Sequence, residues 1–333
     1  MPLKNYGVLA ARVMDTRAEG GSGAPHFQIR ARGGGVDFRV AVNVLSQQSP
    51  SELLYAADEA FDHPVLKGLP ELPDGFSELP STPGQGAFDY VRGNLFDREA
   101  MRPLPATAPG PDNDLADKLH HFVDRAQADS SARLYAFGER WGPENGQPDK
   151  IFGFSPGNGV HDIHMNQGNT GRFTRDDGVW QDGGLLLHFP TTQQWVAVFL
   201  AFQSQSWHTD DRTGHTLPAL RAVGAVAGPG EPDHLVRIVA ALVADGGRPT
   251  VTLLNTGRQD LDLAGWALSD VREHRMPLPS TRLPAGEAAR IPVESILDDE
   301  GGLLTLLDPA GLKVDGVAYT ERQAQEAGRT IVF

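Results

Sequence analysis

Gly33-Gly34-Gly35-Val36-Asp37-Phe38-Arg39-Val40-Ala41-Val42-Asn43-Val44 sets a glycine triplet in front of a run rich in apolar and β-branched side chains. Glycine accepts the positive φ of a tight reversal, so the triplet reads as a hairpin-like turn into a strand over 38–44. Working upstream, His26 to Arg30 reads as a second strand. Tyr6 to Val13 reads as a first, across a polar Gly-rich loop through Gly23. The opening is therefore a β-meander. Downstream, residues 62–113 carry nine prolines, among them Pro64, Pro70, Pro103 and Pro111, which interrupt helices and ladders alike and predict long ordered loops.

From Leu115 the apolar positions Leu119, Phe122, Val123 and Ala126 recur at helical spacing behind the capping candidates Asp112, Asn113 and Asp114. This predicts one substantial helix. Leu134 to Gly138, Leu185 to Phe189 and Trp195 to Phe202 read as further strands. At 224–233 small residues with Gly and Pro make a poor element and a good linker. The expected division is residues 1–223, a linker at 224–233 and a second domain over 234–333. In the second domain six or seven short strands at turn-punctuated spacing argue for an antiparallel β-sandwich. The fold class is mainly β: a β-rich α+β domain followed by a sandwich.

With 40% hydrophobic residues, 38 Gly and 25 Pro in 333 residues, the chain reads as globular and turn-rich rather than disordered or fibrous. A net charge of −14 disfavours broad electrostatic binding to nucleic acid or anionic membrane. A small polar or phosphorylated substrate remains compatible with it. Cysteine is absent, which excludes disulfides and thiolate metal sites. No charged-then-apolar leader layout opens the sequence, and no apolar run approaches the ~18 residues of a membrane span. The expectation is a cytoplasmic protein.

Chemically capable side chains concentrate in Ser155-Pro156-Gly157-Asn158-Gly159-Val160-His161-Asp162-Ile163-His164-Met165-Asn166-Gln167-Gly168-Asn169. Read as one strand, this run turns Ile163 and Met165 to the core and gathers Asp162, His164 and Asn166 on the other face. His161 then shares the side of Ile163.

This run, together with Trp180-Gln181-Asp182-Gly183-Gly184, Phe202-Gln203-Ser204-Gln205-Ser206-Trp207 and Asp89-Tyr90-Val91-Arg92-Gly93-Asn94, resembles the YukJ-like family of bacterial proteins over roughly residues 1–215. The resemblance implies a domain of unknown function and no activity. In the second domain, Asn255-Thr256-Gly257, Asp262-Leu263-Ala264-Gly265-Trp266 and Val314-Asp315-Gly316-Val317-Ala318-Tyr319 look like the lamin tail domain. That resemblance implies an immunoglobulin-like fold used for attachment or scaffolding, with a protein partner. The close Gly328-Arg329-Thr330-Ile331-Val332-Phe333 departs from that family's Trp-containing ending.

Two further segments place polar groups at alternate positions: His26, Gln28 and Arg30 opposite Phe27 and Ile29, and the pair Gln203 and Gln205. If these faces meet that of residues 162–166, a polar pocket results. The leading expectation is then a phosphodiesterase-like hydrolase. In it His26 and His164 form the acid–base pair, Asp162 and Asn166 orient, and Arg92 anchors an anion. Gln28, His161, Gln167, Gln203 and Gln205 would contact substrate. No cofactor is required. A variant uses His161, Asp162, His164 and His26 as ligands of a divalent metal, although on a regular strand His161 and His164 point apart. The competing reading makes the histidines hydrogen-bonded structural residues, and the molecule a ligand-binding or scaffolding protein without chemistry.

Overall fold

The computed structural model describes residues 4–19, 26–45, 53–80, 86–97, 100–105, 108–165, 181–202, 234–243, 248–326 and 328–333. In the first part of the chain the strands are β1 (Tyr6–Glu19), β2 (His26–Gly33), β3 (Val36–Asn43), β4 (Leu53–Asp58), β5 (Gly75–Glu78), β6 (Arg102–Leu104), β7 (Arg133–Glu144), β8 (Gly157–His161), β9 (Gly184–Phe189) and β10 (Gln194–Phe202). Two helices join them, α1 (Tyr90–Gly93) and α2 (Leu115–Ala128). The glycine triplet forms the β2–β3 hairpin with Gly34 and Gly35 at φ +59° and +79°, and the meander of β1, β2 and β3 is antiparallel throughout. The capped helix is there too. Asp114 Oδ1 accepts the Asp117 N–H at 2.8 Å, and Leu115, Leu119, Phe122, Val123 and Ala126 are its buried stripe.

All ten strands lie in one sheet, in the order β5-β1-β2-β3-β8-β7-β9-β10-β4-β6, with an additional pairing of β1 to β7. That extra pairing closes β1, β2, β3, β8 and β7 into a five-stranded barrel. The pair β3–β8 is parallel and its neighbours are antiparallel. Together with the helix that precedes the fourth barrel strand, this is the strand order of the OB-fold. One edge of β7 is shared: Arg133 to Phe137 pair with β9, and Glu139 to Glu144 pair with β8. Side chains therefore alternate between two cores. Leu134 and Ala136 join α2 and the barrel interior, whereas Tyr135 and Phe137 join Tyr6, Phe88 and Phe199 on the opposite side. The proline-rich stretch is not pure loop. Within it lie β5, added to the edge of β1, and β6, where Pro103 is tolerated because the strand borders the sheet.

The second part folds into β11 (Val236–Leu242), β12 (Thr250–Asn255), β13 (Leu261–Asp262), β14 (Ala267–Ser269), β15 (Arg275–Pro277), β16 (Arg282–Leu283), β17 (Ala288–Pro292), β18 (Gly301–Leu307), β19 (Lys313–Thr320), the short helix α3 (Glu321–Ala324) and β20 (Ile331–Val332). Two four-stranded antiparallel sheets, β17-β12-β11-β20 and β15-β14-β18-β19, contribute to one core that includes Trp266, Leu268, Leu304 and Ile238. Buried Asn255 accepts the Gly257 N–H and donates to the carbonyls of Gln259 and Leu283, so the Asn-x-Gly motif ties a turn to its neighbour.

A polar seam joins the two parts. Asn94, in left-handed conformation after α1, donates to the Leu304 and Val317 carbonyls and to Thr305 Oγ1 at 3.0–3.2 Å. His234 lies 3.4 Å from Asp97 and 3.2 Å from Asp315. Lys67–Glu321 and Arg322–Asp62 flank it as exposed ion pairs.

Candidate functional site

The strand expected over 155–169 is short, and its end is the feature that builds the site. β8 is threaded tightly: a Cβ on Gly159 would sit 1.9 Å from the Arg39 carbonyl and 2.1 Å from the Trp141 ring. Only glycine fits there. The strand pairs Gly159 with Arg39 on one edge and His161 with Glu139 on the other, then stops, because Asp162 turns left-handed at φ +57°. Period-two alternation slips by one residue at that point. Val160 and Ile163 are both inside the barrel, so His161 faces outward rather than sharing the side of Ile163. Asp162 and His164 likewise do not stand together on an open face. His164 is buried with its Nδ1 3.2 Å from the Met165 carbonyl. Asp162 lies between the two rings, its Oδ2 3.0 Å from His161 Nδ1 and its Oδ1 3.8 Å from His164 Nε2.

Register brings β2 to the same place. Gln28 pairs with Ala41, and Ala41 is two residues on from Arg39, which pairs with Gly159. The outward face of β2 thus runs toward His161 across β3. The outcome is a hollow of about 430 Å³ lined by His26, Gln28, Arg39, Trp141, Lys150 and His161 among others, with Asp149 and Glu144 on its wall. Its centrepiece is Arg39. The guanidinium donates from Nε to Asp149 Oδ2 at 2.6 Å and from Nη1 to Gln28 Oε1 at 3.1 Å, and it lies 4.6 Å over the Trp141 ring. Asp149 is fixed in turn by the N–H groups of Ile151 and Phe152.

Titration follows from this geometry. Burial alone would lower the His161 pKa, but the hydrogen bond that the ring donates to Asp162, with the charges of Asp162 and Glu139, outweighs it and raises the ring above the ordinary histidine value. Burial would raise the Asp162 carboxyl, yet the hydrogen bonds and charges of His161 and His164 hold it well below the usual carboxylate range.

Of the predicted residues, the fold brings His26, Gln28 and His161 to one hollow, with Asp162 directly behind His161. His164 lies one step deeper, beyond Asp162, and does not line the hollow. Arg92 is elsewhere. It sits in α1 with its guanidinium 3.6 Å from Asp89 and 2.9 Å from Glu273, lining a different cavity. Asn166, Gln167, Gln203 and Gln205 lie outside the described residues, as does the linker at 224–233. Among the described residues no group of three or more His, Cys, Asp or Glu is arranged to hold a metal ion. Arg39, Trp141, Asp149 and Lys150 were not singled out by the sequence. The single charged residue inside the mostly apolar run 38–44 is the signal that points to the first of them.

A family model described as an uncharacterized conserved protein (DUF2278) matches residues 1–214. The protein YukJ of Bacillus subtilis (strain 168), itself termed uncharacterized, is 47% identical over 214 residues, which is 63% of this chain and 93% of that protein. No solved structure matches the chain. Among the described residues no helix is long and apolar enough to cross a membrane.

Proposed function

The chain belongs to the DUF2278 family of uncharacterized conserved proteins, and from that premise, which carries no activity, we propose that the barrel hollow is a hydrolytic site for a small phosphodiester. The observation that carries this reading is that His26 and His161 line one hollow while Asp162 holds the Nδ1 side of His161. His161, its pKa raised, is the proton donor. His26 is the base.

In the proposed step His26 takes a proton from water as the water oxygen bonds to phosphorus. The bond from phosphorus to the leaving oxygen breaks, and His161 protonates that oxygen. The two rings then exchange roles through solvent. Lys150 supplies positive charge that Arg39, already paired to Asp149, does not fully provide, and Gln28 orients the ester oxygens. With bis(p-nitrophenyl) phosphate and cyclic nucleotides as probes, His161→Ala and His26→Ala should each lower turnover by about a hundredfold with little change in Tm. Lys150→Ala should raise KM. Chelator treatment should leave the rate unchanged, since the proposed step uses no metal; a rate that vanishes with chelator and returns with zinc would favour the metal-dependent variant instead.

A second reading is favoured by the strand order. In OB-folds the face of the second and third strands, with the loop between the fourth and fifth, is the usual ligand surface, and here the hollow lies on β2 and β3 under Asp149 and Lys150 of the β7–β8 loop. Binding of an oligonucleotide or oligosaccharide with no turnover of any substrate would support that reading. Under either one we assign residues 234–333 to a lamin-tail-like β-sandwich used for attachment to a protein partner.

A further inference from the structure

A second cavity, of about 440 Å³, lies at the seam and is independent of the barrel hollow. Its walls are aliphatic: Val65, Leu69, Leu72, Leu79 and Leu95 from the first part of the chain, Leu303 from the second. That size and position, at the meeting of two folded parts, are those of ligand pockets in general. Among the described residues, two charged side chains line it, Asp89 and Arg92.

The polar groups differ in how freely they could meet a ligand. His63 uses both ring nitrogens, with Nε2 on the Gly93 carbonyl at 2.8 Å and Nδ1 accepting the Val65 N–H at 3.0 Å. Burial pushes its pKa down to about 4, so it is neutral and offers no charge. Asp89 is fixed, since its Oδ1 accepts the Arg92 N–H at 3.1 Å. Arg92 is nearly buried, and its Nη1 meets Glu273 Oε1 at 2.9 Å. Glu273 differs from Asp89 in two respects. It reaches across from the tight turn that Asp270 closes, itself held at φ +63°, and its side chain is 32% exposed. It can swing into water.

We propose that this cavity binds a single-chain amphiphile with a carboxylate head and an alkyl tail, the head taking the place of Glu273 on Arg92 and the tail lying among the leucines. The exchange substitutes one monoanion for another, so the charge around Arg92 is conserved. A dianionic head would add repulsion from Asp89, and an ammonium head would face the guanidinium. Occupancy releases Glu273 and so removes one of the ion pairs that join the two parts of the chain.

The test is calorimetric titration of the full chain with decanoate, decanol and decylamine. Decanoate should bind at least about fivefold more tightly than decanol, the difference being one charge-assisted contact, and decylamine more weakly than either. Glu273→Gln removes the competing carboxylate and should tighten decanoate about threefold while leaving decanol unchanged. Val271→Trp, which fills the cavity from the second part of the chain, should reduce decanoate binding more than about tenfold with Tm retained; Leu72→Phe from the opposite wall serves if that variant does not fold. Decylamine as the tightest ligand, equal binding of decanoate and decanol, no effect of Glu273→Gln, or no detectable binding of any of the three would each overturn the proposal.

Discussion

Asp162 does two things at once because its backbone and its side chain act in different directions. Left-handed φ ends β8 and returns Ile163 to the barrel interior beside Val160, and the carboxylate lies close enough to both neighbouring imidazoles to stay ionised. Asp162→Asn should keep the turn, since Asn tolerates the same conformation, while lowering the His161 pKa, measurable by NMR titration of the ring. An unchanged value would separate His161 from its partner. His63 gives a stability effect of opposite origin. Its folded pKa of about 4 lies below the ~6.5 of an unfolded histidine, so its contribution is complete above ~6.5 and is lost as pH falls from there to about 4. The loss is on the order of 3 kcal/mol at full protonation, and His63→Gln should flatten that part of a Tm-against-pH curve.

β8 shows what an element demands of one residue. Gly159 passes between the Arg39 carbonyl and Trp141 with no room for a methyl group, so Gly159→Ala should destabilise the barrel by about 3 kcal/mol and also disturb the hollow, visible as a lowered denaturant midpoint. The strands themselves were largely legible. Period-two spacing put His26, Gln28 and Arg30 on one face of β2 opposite Phe27 and Ile29, and the structure has Phe27 and Ile29 in the core and His26 and Gln28 in the hollow. The slip at Asp162 was not legible, because a single left-handed Asp leaves no mark in a pattern of apolar and polar residues. Nor was Arg39 as a neighbour of Trp141 and Asp149, since the parallel β3–β8 pairing that brings them together joins segments far apart in sequence. Arg92 misled for the converse reason: an arginine in a polar motif looks the same whether it grips a ligand or another part of its own chain.

Across the molecule, the contacts of Asn94 and His234 that join the two parts are polar where each core is apolar, so they should respond to pH before the cores do. His234 is raised to about 10, chiefly by hydrogen bonds to Asp315 and Asp97. A raised base contributes in full below the unfolded value of ~6.5 and loses its contribution as pH rises from ~6.5 to about 10. Alkaline pH should therefore loosen the seam, read as faster amide hydrogen exchange at Ile238, whose N–H is held by Asp315, and His234→Gln should be insensitive over that range. Asn94→Ala removes three hydrogen bonds from a left-handed position and should cost about 2 kcal/mol, splitting thermal unfolding into two transitions if the parts fold separately.

The parallel contact of Arg39 with Gly159 spans 120 residues of chain, from 39 to 159. During synthesis the meander can emerge from the ribosome and fold as a hairpin pair, but its open edge must wait about ten seconds for β8 to be translated before the cylinder shuts. In that interval the apolar inner row of β3, Phe38, Val40 and Val42, lacks the strand that covers its edge in the finished barrel. A message truncated before Gly157 would yield a chain that lacks both β8, which closes the cylinder, and His161, the proposed proton donor.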